Sequence, residues 1–128
     1  MESLEKPLCG WELPAYVKYE EKPWGWFTTI SQGDDYKVKE IFVNPGSRFS
    51  LQYHNHREEH WTIVEGSGII TLDDDEMEVK PGDHFYIPVK GVHRLKGDGN
   101  GVRFIEVQRG KCLPDDIVRL EDDYGRIS

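Results

Sequence analysis

From Trp24 onward, Gly, Pro, Asn and Asp cut this chain every few residues, and the pieces between the cuts are short and β-prone. The segments are Trp24–Ile30, Tyr36–Val43, Arg48–His54, Glu59–Val64, Ile69–Leu72, Met77–Val79, His84–Ile87, Val92–Lys96 and Val102–Gln108. Turns fall at Ser31–Asp35, Asn44-Pro45-Gly46, Glu65–Gly68, Asp73–Asp75, Pro81-Gly82-Asp83 and Gly97–Gly101. Many short strands at regular spacing predict an all-β sandwich or barrel. Only the tail near Asp115–Tyr124 offers a weak helical pattern, with Asp115 or Asp116 as its N-cap. The first residues, with Pro7, Gly10 and Pro14, read as an irregular arm.

A chain of 128 residues supports one core. Its net charge of −8 argues against nucleic acid or an anionic membrane as a partner. A local cluster of Lys and Arg still suits an anionic small molecule. No apolar run approaches a membrane span, and Met1–Lys6 lacks the apolar region of a signal peptide. Cys9 and Cys112 are far apart and in no metal-like spacing, which predicts reduced thiols and a cytoplasmic protein.

The chemistry concentrates in Gln52-Tyr53-His54-Asn55-His56-Arg57-Glu58-Glu59-His60-Trp61, answered downstream by Gly91-Val92-His93. Alternate strand residues share a face. Gln52 and His54 then share one with Arg48 and Ser50, and His56 joins them if the strand continues. Glu59, Trp61 and Ile63 share another, so Glu59 points into an enclosed space, where a carboxylate needs a cation or hydrogen bonds. His60 points the opposite way, and His84 reads as a surface residue. His93 starts a strand with Leu95 on its face. Lys37 and Lys39 share a face with Ile41 and Val43, so one of them could bind a phosphate if that face lines a barrel mouth. Arg94, Arg119 and Arg126 are further candidates for that role.

Gly46, His54, Glu59 and Gly66, followed by Gly82, Pro88, Gly91 and His93, resemble the two-part motif of the cupin superfamily. Lys22-Pro23-Trp24-Gly25, Tyr36–Lys39, Ser50–Trp61, Tyr86-Ile87-Pro88, His93-Arg94-Leu95, Ile105–Gln108, Asp116–Arg119 and Tyr124-Gly125-Arg126 narrow the likeness. Together they resemble the mannose-6-phosphate isomerase domain, the C-terminal half of bifunctional mannose-1-phosphate guanylyltransferase/mannose-6-phosphate isomerases. The likeness runs from Lys22 to Arg126. Three positions depart from the family pattern: Lys22 stands for an arginine, Glu40 for a basic residue and Asn55 for a histidine. The nucleotidyltransferase half has no counterpart in these residues, so no nucleotidyl transfer is expected.

The resemblance implies a cupin double-stranded β-helix, a jelly-roll barrel over residues 22–128, with residues 1–21 as the arm and a short C-terminal tail. It implies a divalent metal held by Gln52, His54, Glu59 and His93, with His56 as an alternative to Gln52. Two imidazoles, a carboxylate and an amide leave Zn, Mn, Co, Fe and Ni open. The reaction implied is mannose 6-phosphate to fructose 6-phosphate by proton transfer between neighbouring carbons. Lys37, Lys39, His56 and Glu106 are the candidate bases. The alternative is a stand-alone cupin that binds or converts another sugar or small acid in the same pocket, and a third reading is iron-dependent oxygen chemistry. The resemblance also predicts a homodimer, with Trp11, Tyr16 and Tyr19 giving the arm something to bury. The expected core is Phe27, Ile30, Phe42, Leu51, Trp61, Ile63, Ile70, Phe85, Ile87, Leu95 and Phe104.

Overall fold

A computed structural model describes residues 18–126, and every regular element among them is a strand. In chain order these are β1 Lys18–Lys22, β2 Gly25–Gln32, β3 Tyr36–Val43, β4 Leu51–Tyr53, β5 Arg57–Leu72, β6 Asp75–Val79, β7 His84–Ile87, β8 His93–Gly110 and β9 Val118–Glu121. The helix expected near Asp115–Tyr124 does not form. The edge of β4 offers unpaired backbone groups, and β9 satisfies them through Gln52↔Arg119 and Tyr53↔Val118. Of the expected arm, Lys18–Glu21 is paired to β2, while Cys9, Trp11 and Tyr16 lie outside the described residues.

The frame is the antiparallel pair β5 and β8, matched from Arg57↔Gly110 to Leu72↔His93. The C-terminal half of β8 carries β3 on its other edge, followed by β2 and β1, while the N-terminal half of β5 carries β7. The remaining halves carry β4 and then β9 beside β8, and β6 beside β5. A strand pair that changes neighbours along its length has to bend from one layer into another. The bend falls where the register slips, between Ile63 and Glu65 and between Gly66 and Ser67. Gly66 has φ 85° and Gly101 φ 93°. A Cβ on Gly66 would run into the Gly101 carbonyl, and one on Gly101 into the Phe42 ring. Only glycine lets the two backbones cross there. This layout is the expected all-β barrel, two layers joined by a bent central strand pair. Among the described residues no helix is long and apolar enough to cross a membrane.

Between the layers lie Trp24, Ile41, Val43, Phe49, Trp61, Ile63, Ile70, Val79, Ile87, Leu95, Val102 and Phe104. Phe42 is a correction to the expected core. It shares a strand with buried Ile41 and Val43, so alternation sends it outward, where it stacks on Trp26 at 6.0 Å. Ile30 and Leu51 are only half-buried. Each sits beside a register slip, at Thr29/Ser31 and at Leu51/Gln52, where alternation fails.

Candidate metal centre

The chain turns three of its buried polar side chains toward one point. His54 follows β4, Glu59 lies on β5 and His93 opens β8, each no more than 3% exposed. One donor atom from each lies within 4.8 Å of the others. His54 Nε2 is 3.2 Å from Glu59 Oε2, and His93 Nε2 is 3.6 Å from Glu59 Oε1. Backbone carbonyls fix the orientation of both rings. His54 Nδ1 donates to the Asp116 carbonyl at 2.7 Å, and His93 Nδ1 donates to that of Gly91 at 2.9 Å. Each ring therefore turns its Nε2 lone pair toward the Glu59 carboxylate.

Burial holds both imidazoles in that neutral form. It pulls His54 down to about 3, helped by the Arg57 and His93 charges, and pulls His93 down to about 4. His93 Nε2 is buried with no hydrogen-bond partner, a costly condition for a polar atom. In this cluster Arg57 donates to His54 Nε2 and Glu59 Oε2 at 3.1 Å and Trp61 Nε1 donates to Glu59 Oε1 at 2.9 Å, so His93 Nε2 is the acceptor left without a partner. Two neutral imidazoles with a carboxylate suit a divalent transition metal. Nδ1 anchoring by a carbonyl is the usual support for a metal-bound imidazole.

Gln52 lies beside this group as the strand partner of His93. Its Nε2 is 3.4 Å from His54 Nε2, while its Oε1 accepts from Ser50 Oγ at 2.6 Å. A turned amide would offer the oxygen instead. His56 as an alternative ligand is corrected: its side chain is exposed and outside the cluster. The strand stops at Tyr53, and the Asp116 carboxylate accepts from the backbone N–H groups of Asn55 and His56 at 2.8 and 2.9 Å. That clamp breaks the alternation that would have turned His56 inward. Outside the cavity, His60 contacts Glu58 and Tyr86, and His84 is exposed.

The group sits in a cavity of about 370 Å³. Its lining includes the cations Lys22, Lys37, Lys39, Arg57, Arg119 and Arg126 against four carboxylates, so the site is locally basic in an acidic chain. Lys39 sits 4.1 Å over the Phe27 ring, and burial lowers its proton affinity. Its strand partner is Glu106, 4% exposed and raised to about 7 by burial and then by the Glu59 charge. Gln108 Nε2 donates to Glu106 Oε1 at 3.0 Å. Arg119 has a buried Nε without a hydrogen-bond partner, while Arg126 forks onto Asp122 at 2.8 and 3.0 Å.

Arg94 is a second correction, because it does not line this cavity. It is buried behind β4 and β9, where its Nε donates to the Phe49 carbonyl at 3.0 Å and its Nη1 to Glu121 at 3.0 Å. Its guanidinium fastens the tail. Glu40, the unusual acidic residue on β3, pairs with Arg103 at 2.8 Å and is absent from the cavity lining. Two residues of the site went unselected in the sequence. Arg57 donates to Glu59 and His54, and its parity with Glu59 and Trp61 was a usable signal. Asp116 had none, because its partners lie about sixty residues away.

A sequence profile described as "Mannose-6-phosphate isomerase C-terminal" matches residues 15–122. The alginate biosynthesis protein AlgA of Pseudomonas aeruginosa is 46% identical over 107 residues, covering 82% of this chain and 22% of AlgA. The mannose-1-phosphate guanylyltransferase of Escherichia coli K12 is 42% identical over 108 residues, 83% of this chain and 23% of that protein. The chain thus spans under a quarter of the length of these relatives. Among solved structures, KdgF from Halomonas superposes with a TM-score of 0.69 at 15% identity, over 73% of this chain and 88% of KdgF. Bacillus subtilis oxalate decarboxylase gives 0.70 at 18%, over 81% and 30%. These two share the fold.

Proposed function

The chain belongs to the mannose-6-phosphate isomerase C-terminal domain family, and from that premise we propose that it is a metal-dependent isomerase interconverting mannose 6-phosphate and fructose 6-phosphate. One observation carries the reading. A buried carboxyl, Glu106, with proton affinity raised to about 7, shares a cavity with the His54, Glu59 and His93 donor set. A group poised near neutrality suits taking and returning a proton.

A divalent cation held by His54, Glu59, His93 and the Gln52 amide would polarise the adjacent carbonyl and hydroxyl oxygens of the open-chain sugar, making the intervening C–H acidic. Glu106 serves as the base, removing the proton from C2 and delivering it to C1 while the C2 hydroxyl proton passes to the C1 oxygen, so nothing is consumed. Lys39, its strand partner, is the cation beside it. Lys37, Arg119 and Arg126 at the cavity wall anchor the phosphate, turning remote binding into orientation. The cavity volume falls within the range of small-molecule sites.

Purified, metal-loaded protein should turn over mannose 6-phosphate in a coupled assay. Turnover no faster than a His54→Ala control would retire the assignment. A second reading, another sugar or small acid in the same cavity, is favoured by Lys22, which lines the wall where the family pattern has an arginine. Thermal shifts larger for unphosphorylated ligands than for sugar phosphates would select it.

A further inference from the structure

Arg57 is 12% exposed, and its fork is spent inside the donor set. Its Nε and Nη2 both lie 3.1 Å from Glu59 Oε2, and Nη2 also donates to His54 Nε2 at 3.1 Å. The hydrogen on His54 Nδ1 is committed to the Asp116 carbonyl, so the Nε2 lone pair that accepts from Arg57 is the one that a metal would need. One lone pair serves one partner. A dication and a guanidinium held on the same two atoms would also repel strongly in a buried setting.

We propose that Arg57 is an internal counter-cation of this centre, competing with the metal for Glu59 and His54, so that metal binding releases its fork into the cavity for an oxygen of an anionic ligand. The inference rests on His54, Glu59 and His93 being ligands. It makes Arg57 a positioning residue that sets metal affinity against the stability of the metal-free protein. A purely structural Arg57–Glu59 pair predicts the opposite response, because losing the arginine would then disorder Glu59 and weaken metal binding.

Wild type and Arg57→Met are stripped with chelator and titrated with Zn²⁺ against a chromophoric competitor. The variant should bind about ten-fold more tightly or better, equivalent to about 1.4 kcal/mol. It should also melt lower than wild type without Zn²⁺ and recover more on its addition. Equal or weaker binding by folded Arg57→Met overturns the proposal. Absence of Zn²⁺ binding by both proteins overturns the metal centre itself. If Arg57→Met does not fold, ¹⁵N spectra of wild type decide. The Arg57 Nε–H should pass from slow to fast exchange with water when Zn²⁺ is added, and a signal protected in both states refutes the release.

Discussion

Glu106 and the two histidines facing it respond to pH with opposite sign. His54 and His93 are held near 3 and 4 by burial. Unfolding lets them take up protons, so their contribution is present above about 6.5 and is lost as pH falls toward those values. Glu106 is raised from 4.5 to about 7. It contributes fully below its unfolded value, and that contribution is lost as pH rises through about 7. Replacing Glu106 by Gln in metal-free protein should therefore stabilise it at pH 8, by on the order of 3 kcal/mol at most. The gain should vanish by pH 4, and urea midpoints at both values check it. Much of this site was legible one residue at a time. The two-residue step put Glu59, Trp61 and Ile63 on one face, and all three are buried. The same step failed at His56, because the carboxylate that bends the chain away from the strand comes from a distant tail.

Glycine separators proved the hardest signal to read at the level of elements. Glu65–Gly68 and Gly97–Gly101 read as turns between separate strands, yet β5 and β8 run through them as single bent strands. A glycine that ends a strand and one that lets it fold over a neighbour look the same in sequence; only the crossing of Gly66 over Gly101 tells them apart. The tail was misread for a related reason. Asp116 is a plausible helix cap, but its oxygens cap the backbone of Asn55 and His56 instead. The tail is further fastened by Arg94 to Glu121 and by a two-pronged Arg48–Asp123 pair. Asp116→Ala removes two charge-assisted bonds from a residue 6% exposed. It should cost about 2–3 kcal/mol of stability and also weaken metal binding, since the same turn orients His54. Asp116→Asn, which keeps one acceptor, should recover part of both. Chemical denaturation and a chelator titration provide the two measurements.

The three donors come from the end of β4, from β5 and from β8, and these strands belong to both layers of the barrel. That convergence was not legible from spacing, because β5 meets β8 across twenty intervening residues at its nearest point and fifty-two at its farthest. The resemblance supplied the arrangement, while the sequence pattern supplied only the strands. A cation bound by all three would cross-link the frame, and it binds the folded chain without a comparable site in the unfolded one. Stability should therefore rise with free metal as mass action requires, by about 4 kcal/mol at a thousand times the dissociation constant. Chelator should remove all of that increment. Glu59→Gln should show almost none, because the neutral amide withdraws the anion that faces both Nε2 atoms. If the urea midpoint of wild type proved indifferent to metal and chelator alike, the convergence of these strands would be a packing arrangement of the barrel, with no coordinating role.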